Sequence, residues 1–159
     1  QACMGLEQLK KLDYMHDRRK HNFKRVHEIF SKYDDLFYLP TALDKADVSW
    51  FGFLITLKDD LPFKKSKLIS HLENAKIQTR SYFTGNALFH PAYQDLAKKY
   101  KNPRTKFPVA TKSTVDTFFM GVWPGMTDEQ LDYVEEVVNQ FCEKEITTLK
   151  RSKRLKRKN

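Results

Sequence analysis

Arg80 stands where a side chain can meet a ligand. It ends a strand-like run, Lys76 to Arg80, and precedes a turn. Such junctions usually display binding residues, and a guanidinium matches a carboxylate or phosphate in a two-point contact. Within a few residues the chain adds the rings of Tyr82, Phe83, Phe89 and Tyr93, a Gly85-Asn86 turn, and a His90-Pro91 step. One short loop thus collects a cation, amide donors, an imidazole and flat rings, a set suited to an anionic, hydroxyl-rich ligand. Each member alone has a plainer reading. Arg80 could pair with a surface acid, Asn86 could serve the turn, His90 could be a loop histidine, and the aromatics could belong to the core.

Other chemistry is poorly supported. There is no glycine-rich phosphate loop, no nucleophile elbow and no zinc-protease motif. The paired acids Asp34-Asp35 and Asp59-Asp60 close elements and read as caps and turn formers rather than a catalytic pair. His16, His21, His27 and His71 fall on charged helical faces with no triad partner at a useful register. Cys3 and Cys142 lie at opposite ends without metal-ligand spacing, so no metal site is expected, and two idle thiols are a simpler reading than a disulfide.

The elements that must position the loop follow from periodicity. Met4, Leu6, Leu9 and Leu12, then Phe23, Val26, Ile29 and Phe30, predict one long amphipathic helix or two abutting ones from about Gln1 to Lys32. Leu39-Pro40 begins a loop. Trp50 to Leu57 reads as a buried strand, Lys64 to Ala75 as a helix, and Lys76 to Arg80 as a short strand. A short helix is expected over Pro91 to Tyr100, with Pro91 in its first turn. The stretch Asn102 to Lys112, with Pro103 and Pro108, reads as loop. Thr117 to Val122 is the third strand. Thr127 and Gln130 form a capping box for a helix reaching about Leu149. The expected fold is α+β in two layers: a small, mainly antiparallel three-stranded sheet packed by helices.

The 159 residues suffice for one domain with a core, and 40% apolar content argues for a globular chain. No apolar run is long enough to span a bilayer as a helix. The net charge of +9 is local. Lys150, Arg151, Lys153, Arg154, Lys156, Arg157 and Lys158 supply seven of 29 basic residues, leaving 22 against 20 acids, or +2, for the body. Residues 150–159 therefore read as a solvated, disordered basic tail.

Three blocks carry a resemblance: Ser49-Trp50-Phe51-Gly52-Phe53, the loop from Gln78 to Tyr93, and Asp116-Thr117-Phe118 with Gly121-Val122 and Pro124-Gly125. Arg18-Arg19-Lys20-His21-Asn22-Phe23 adds a fourth. In this order they resemble the C-terminal part of the DegT/DnrJ/EryC1/StrS-type PLP-dependent sugar enzymes. Within that family they are most similar to the lipopolysaccharide-biosynthesis branch that dehydrates CDP-4-keto-6-deoxy-glucose at C3. Residues 1–149 would be the small C-terminal domain of a fold-type I enzyme whose N-terminal cofactor domain lies outside this chain.

The resemblance implies a substrate-site domain, inactive alone, in a cytoplasmic nucleotide-sugar 3-dehydrase of deoxysugar or O-antigen biosynthesis. A related sugar aminotransferase is the alternative. PLP or PMP, the catalytic base and any iron–sulfur cluster would belong to the rest of the parent, which resembles a homodimer. Arg80, Phe83, Gly85, Asn86, His90 and Tyr93 would face the nucleotide-diphosphate sugar, with no catalytic, cofactor or metal residue here. The family usually continues after Gly-Asn with Leu-Thr-Arg-Gln-Pro, whereas this chain has Ala87-Leu88-Phe89-His90-Pro91. An arginine and a glutamine are lost, which opens the question of which sugar or nucleotide is bound. The basic tail has no counterpart. A quite different reading makes the chain a non-enzymatic module that binds nucleic acid or acidic lipid through that tail. Against it, no aromatic residue interleaves the basic run.

Overall fold

A computed structural model describes residues 1–156, with side chains through Arg151. Its sheet has four antiparallel strands in the order β1-β2-β4-β3: β1 Phe37–Tyr38, β2 Gly52–Leu57, β3 Thr79–Ser81 and β4 Thr117–Gly121. The three expected strands are present, and β1 is an addition. It pairs Phe37 with Leu57 and Tyr38 with Thr56. Two residues carry too short a pattern to be seen in sequence, and their extended state depends on that pairing.

The N-terminal periodic stretch forms two abutting helices, α1 Ala2–Leu9 and α2 Leu12–Ser31. α1 buries none of its residues. α2 turns Phe23, Val26, Ile29 and Phe30 into the core. α3 Lys65–Asn74 and α7 Asp128–Lys156 complete the main helical layer. Thr127 Oγ1 accepts from the Gln130 N–H at 3.3 Å, and the Thr127 N–H donates to Gln130 Oε1 at 3.1 Å, so the capping box forms as the sequence suggests.

Cross-links fix the helix directions. Arg25 pairs with Asp132 at 2.8 Å and Tyr33 Oη donates to Asn139 at 2.7 Å, so α2 and α7 run parallel. Tyr133 meets the Ala75 carbonyl, while Lys67 pairs with the buried Glu145 at 2.6 Å, so α3 and α7 run antiparallel. Burial pushes the Cys142 thiol up to about 12, and Glu145 and Glu143 add to the shift. Cys142 is a core side chain of α7, and Cys3 is exposed and unbridged.

Three expectations are corrected. The stretch read as loop after Asn102 folds as α5 Pro103–Lys106 and α6 Pro108–Val115. Both prolines occupy the first helical turn, where a missing N–H costs nothing, so they start helices here rather than break them. The expected Pro91–Tyr100 helix is split into a 3-10 turn at Pro91–Tyr93 and α4 Gln94–Ala97. The final helix also does not stop at Leu149: α7 continues to Lys156, through seven of the ten residues 150–159 read as a disordered tail. Lys and Arg are good helix formers and no Gly or Pro intervenes; cations also suit a helix C-terminus. Residues 157–159 lie outside the described residues.

Candidate functional site

Register sorts the sheet's two faces. Phe53 opposes Met120, and Ile55 opposes Phe118. All four are buried in the core beneath the helices. The intervening row, Leu54, Phe119 and Arg80, must point to the other face. Phe119 is not part of the helix-side core. Its ring lies over Gly52, where a Cβ would come within 2.8 Å of Phe119 Cδ2, so only glycine lets it lie flat.

Two exposed rings cover Phe119 from outside. Phe83 stacks on it at 5.7 Å and 28°, and Phe51 sits 5.7 Å away at 55°. Phe51 and Phe83 also stack on each other at 6.5 Å, and Tyr82 meets Phe83 edge-on. Both outer rings remain mostly in solvent, Phe51 at 69% and Phe83 at 71% exposure. Arg19 holds the Phe51 segment by donating to the carbonyls of Trp50 and Phe51, each at 3.4 Å. Arg80 stands in the same row as Phe119, exposed, and among the described residues nothing pairs with its guanidinium. The alternative of Arg80 bonded to a surface acid is not what the structure has.

The other loop residues divide by what they touch. Gly85 adopts φ +55, and a Cβ there would sit 2.3 Å from Thr114 Oγ1. Asn86 is buried at 3% exposure. Its N–H donates to Thr114 Oγ1 at 2.6 Å, its Nδ2 to Thr111 Oγ1 at 3.3 Å, and its Oδ1 accepts from the Leu88 N–H at 3.1 Å. These bonds fasten the loop to α6 and cap the 3-10 turn Ala87–Phe89. The His90 ring bonds the Thr84 carbonyl through Nε2 at 2.8 Å. Tyr93 is half-exposed on the next 3-10 turn. Phe89 carries the Arg104 guanidinium 4.8 Å above its ring.

The residues chosen from sequence therefore do not converge on one cavity. Phe83 and Gly85 line a 610 Å³ cleft that also includes Tyr82, Lys106, Phe107 and Val109. Arg80 lines a separate 400 Å³ hollow with Glu73, Lys76 and Gln78. Sequence reasoning missed the partnership of Phe51, Phe83 and Phe119, although Phe51 lies within a block singled out and Phe119 within an expected strand. It also missed the far wall of the cleft, because α5 and α6 were read as loop.

The described residues hold no cluster that could bind a metal ion, and no helix is long and apolar enough to cross a membrane. Among the described residues no glycine-rich turn offers a phosphate cradle. The Lys65 amine, pulled down by desolvation, donates to the carbonyls of Thr114 and Thr117 at 2.7 and 3.1 Å and is held within the fold.

Comparison with known proteins agrees with this architecture. The chain is 37% identical over 144 residues to a dTDP-4-dehydro-2,6-dideoxy-D-glucose 3-dehydratase of Saccharopolyspora spinosa, covering 91% of this chain and 30% of the relative. It is 34% identical over 141 residues to the lipopolysaccharide biosynthesis protein RfbH of Salmonella typhimurium, covering 89% of this chain and 32% of that protein. The chain thus spans about a third of the length of these relatives. A crystal structure of a GDP-4-keto-6-deoxymannose-3-dehydratase with bound GDP-perosamine superposes with a TM-score of 0.68 at 27% identity, over 84% of this chain and 33% of that one. An aminotransferase from Psychrobacter cryohalolentis superposes at 0.77 with 15% identity over 91% of this chain and 38% of its own length, a likeness of fold. Residues 1–139 match the family model, and the chain belongs to the DegT/DnrJ/EryC1/StrS aminotransferase family.

Proposed function

We propose that this chain is the substrate-site domain of a PLP- or PMP-dependent nucleotide-sugar 3-dehydratase, acting in deoxysugar or lipopolysaccharide biosynthesis in the cytoplasm. The observation that carries the reading is the row Arg80–Phe119 capped by Phe83 and Phe51. It is a cation with no partner among the described residues, beside exposed rings, on the sheet face that the helices leave uncovered. A guanidinium and flat rings suit the charged and the planar parts of a nucleotide-diphosphate sugar. The relatives support that substrate class: one is a dTDP-sugar 3-dehydratase, and a GDP-sugar 3-dehydratase of similar fold holds GDP-perosamine. A 3-dehydratase structure from E. coli holds hydrated PLP.

In this reading the cofactor is held by a part of the enzyme outside this chain and supplies the electron sink. Residues 1–149 bind and orient the sugar nucleotide and close one wall of the site against water. Arg80 and the aromatic face position the substrate. Asn86 and His90 shape the loop through the bonds they already make, and Tyr93 stands at its edge. The parent works as a homodimer, with the cofactor domain as this domain's partner. The family model is described for aminotransferases, so amino transfer is the competing reaction.

One assay separates the readings. The enzyme in which this chain follows its cofactor domain is incubated with CDP-, GDP- and dTDP-4-keto-6-deoxy sugars, and the products are read by mass spectrometry. Loss of water from the sugar supports dehydration, and gain of an amino group assigns amino transfer. No change in any nucleotide sugar, from a folded and cofactor-loaded enzyme, overturns the proposal.

A further inference from the structure

α7 changes sign along its length. From Asp128 to Glu145 the sequence carries seven acids and one base, Lys144. From Ile146 onward it carries no acid and seven cations. The change of sign coincides with the end of packing. Glu145 is buried and pairs with Lys67 at 2.6 Å, and Leu149 is the last of the described residues buried in the core. Lys150 and Arg151 follow in solvent, and the helix continues to Lys156.

α3 brings a further cation to the same end. It runs antiparallel to α7, and the Lys67–Glu145 pair sets its first turn beside the last packed turns of α7. Lys64, the N-cap residue of α3, therefore stands at the end of the molecule from which α7 emerges. It is exposed, with no partner among the described residues.

This distribution suits a flat anionic surface met by the helix tip. A rod-shaped polyanion lying along α7 would run over the acidic stretch. The helical rise sets Lys150 to Lys156 within about 10 Å of axis, close to one screening length at physiological salt. Approached end-on, these positions sit inside the attractive layer, and the acids from Glu145 back lie behind them. No aromatic residue lies among the cations to stack on bases. The family match ends at residue 139, so the family's common architecture does not account for this end.

We propose that the C-terminal end of α7, with Lys64 beside it, docks tip-first on an anionic phospholipid surface. The attraction is electrostatic. Leu155 is the one apolar residue after Leu149, too little to anchor the chain by insertion. Each Lys or Arg close to such a surface strengthens partitioning about fivefold, so a handful of them gives a reversible attachment. The docking is independent of the reaction assigned to the enzyme and holds that enzyme beside a membrane.

The test sediments the 159-residue chain with two sets of vesicles. One is phosphatidylcholine alone, and the other contains about one third phosphatidylglycerol. Each is measured at about 0.1 M and about 0.5 M salt. Binding is expected to the anionic set alone, weakening more than about tenfold at the higher salt. The double variant Lys150→Gln/Arg151→Gln should lower the partition coefficient about twentyfold. Lys64→Gln, 86 positions away in sequence, should lower it about threefold, because the tip-first pose brings Lys64 to the surface. All variants should melt as the wild type does, since the residues changed are exposed. No binding to the anionic vesicles, equal binding to both sets, or binding that salt does not weaken overturns the proposal. So does tighter binding to a nucleic-acid duplex than to anionic vesicles at the same salt, which assigns the end to nucleic acid. A Lys64→Gln variant that binds as the wild type does overturns the tip-first pose.

Discussion

Arg80 and Asn86 sit six residues apart on one loop, and the structure gives them opposite roles. Asn86 spends its N–H, its Nδ2 and its Oδ1 within the fold, whereas among the described residues nothing bonds the Arg80 guanidinium. In the longer enzyme, Arg80→Ala is expected to lower kcat/KM by about tenfold or more and leave the melting temperature unchanged. Wild-type kinetics would make Arg80 an idle surface residue. Gly85→Ala should do the reverse. Its Cβ would collide with Thr114, and alanine is strained at φ +55. The expected loss is about 1–3 kcal/mol of stability, read by urea denaturation, and a variant as stable as wild type would show that the loop is not fastened to α6. Sequence could suggest a turn at Gly85-Asn86 because those residue types favour turns. It could not supply Thr114, since a contact across 28 positions leaves no local pattern. For the same reason the stacking of Phe51 on Phe83, 32 positions apart, leaves no local pattern.

At the scale of elements, periodic segments were readable and context-dependent ones were not. α2, α3, α7, β2 and β4 bury the faces their spacing predicts. β1 and the pair α5–α6 were missed, the first because pairing creates it, the second because proline is both a breaker and a good first-turn residue. The parallel packing of α2 on α7 carries its own pH signature. The Asp128 carboxyl is held below its usual range chiefly by the hydrogen bond from His21, with Arg18 and Arg25 adding to it. Glu135 is lowered first by its bond from Lys32, then by Arg25. Folded pKa values below the unfolded ones mean that folding favours the ionised form. The contribution is complete above the unfolded carboxylate range, about pH 4, and drains as pH falls through the folded values. The melting temperature should therefore drop below about pH 4 and be flat just above it. The double variant Asp128→Asn/Glu135→Gln should melt lower at neutral pH and lose part of the acid dependence. An unchanged acid slope would show that these pairs are too solvated to matter.

For the molecule as a whole, the contrast lies between a nearly neutral body and a basic end. The family match stops at residue 139, and Leu149 is the last of the described residues buried in the core. Beyond it α7 runs on to Lys156 with Lys150 and Arg151 exposed. Cations near a helix C-terminus interact favourably with the exposed carbonyls, each by about 0.3–1 kcal/mol at low salt. Mutual repulsion among seven basic residues in nine positions offsets part of this. Removing residues 150–159 should thus change stability by no more than about 1 kcal/mol, or roughly 2–4 °C for a chain of this size. The same deletion takes the net charge from +9 to +2, since seven of 29 basic residues go and all 20 acids remain. The truncated chain should elute from a cation exchanger at much lower salt while keeping its fold and, in the longer enzyme, its turnover. A melting point lowered by ten degrees or more would mean that the basic end docks on the body. Unchanged turnover together with lost retention on nucleic acid or acidic vesicles would assign the end a separate binding role. Lost turnover with intact stability would instead place it in the enzyme's own site or assembly.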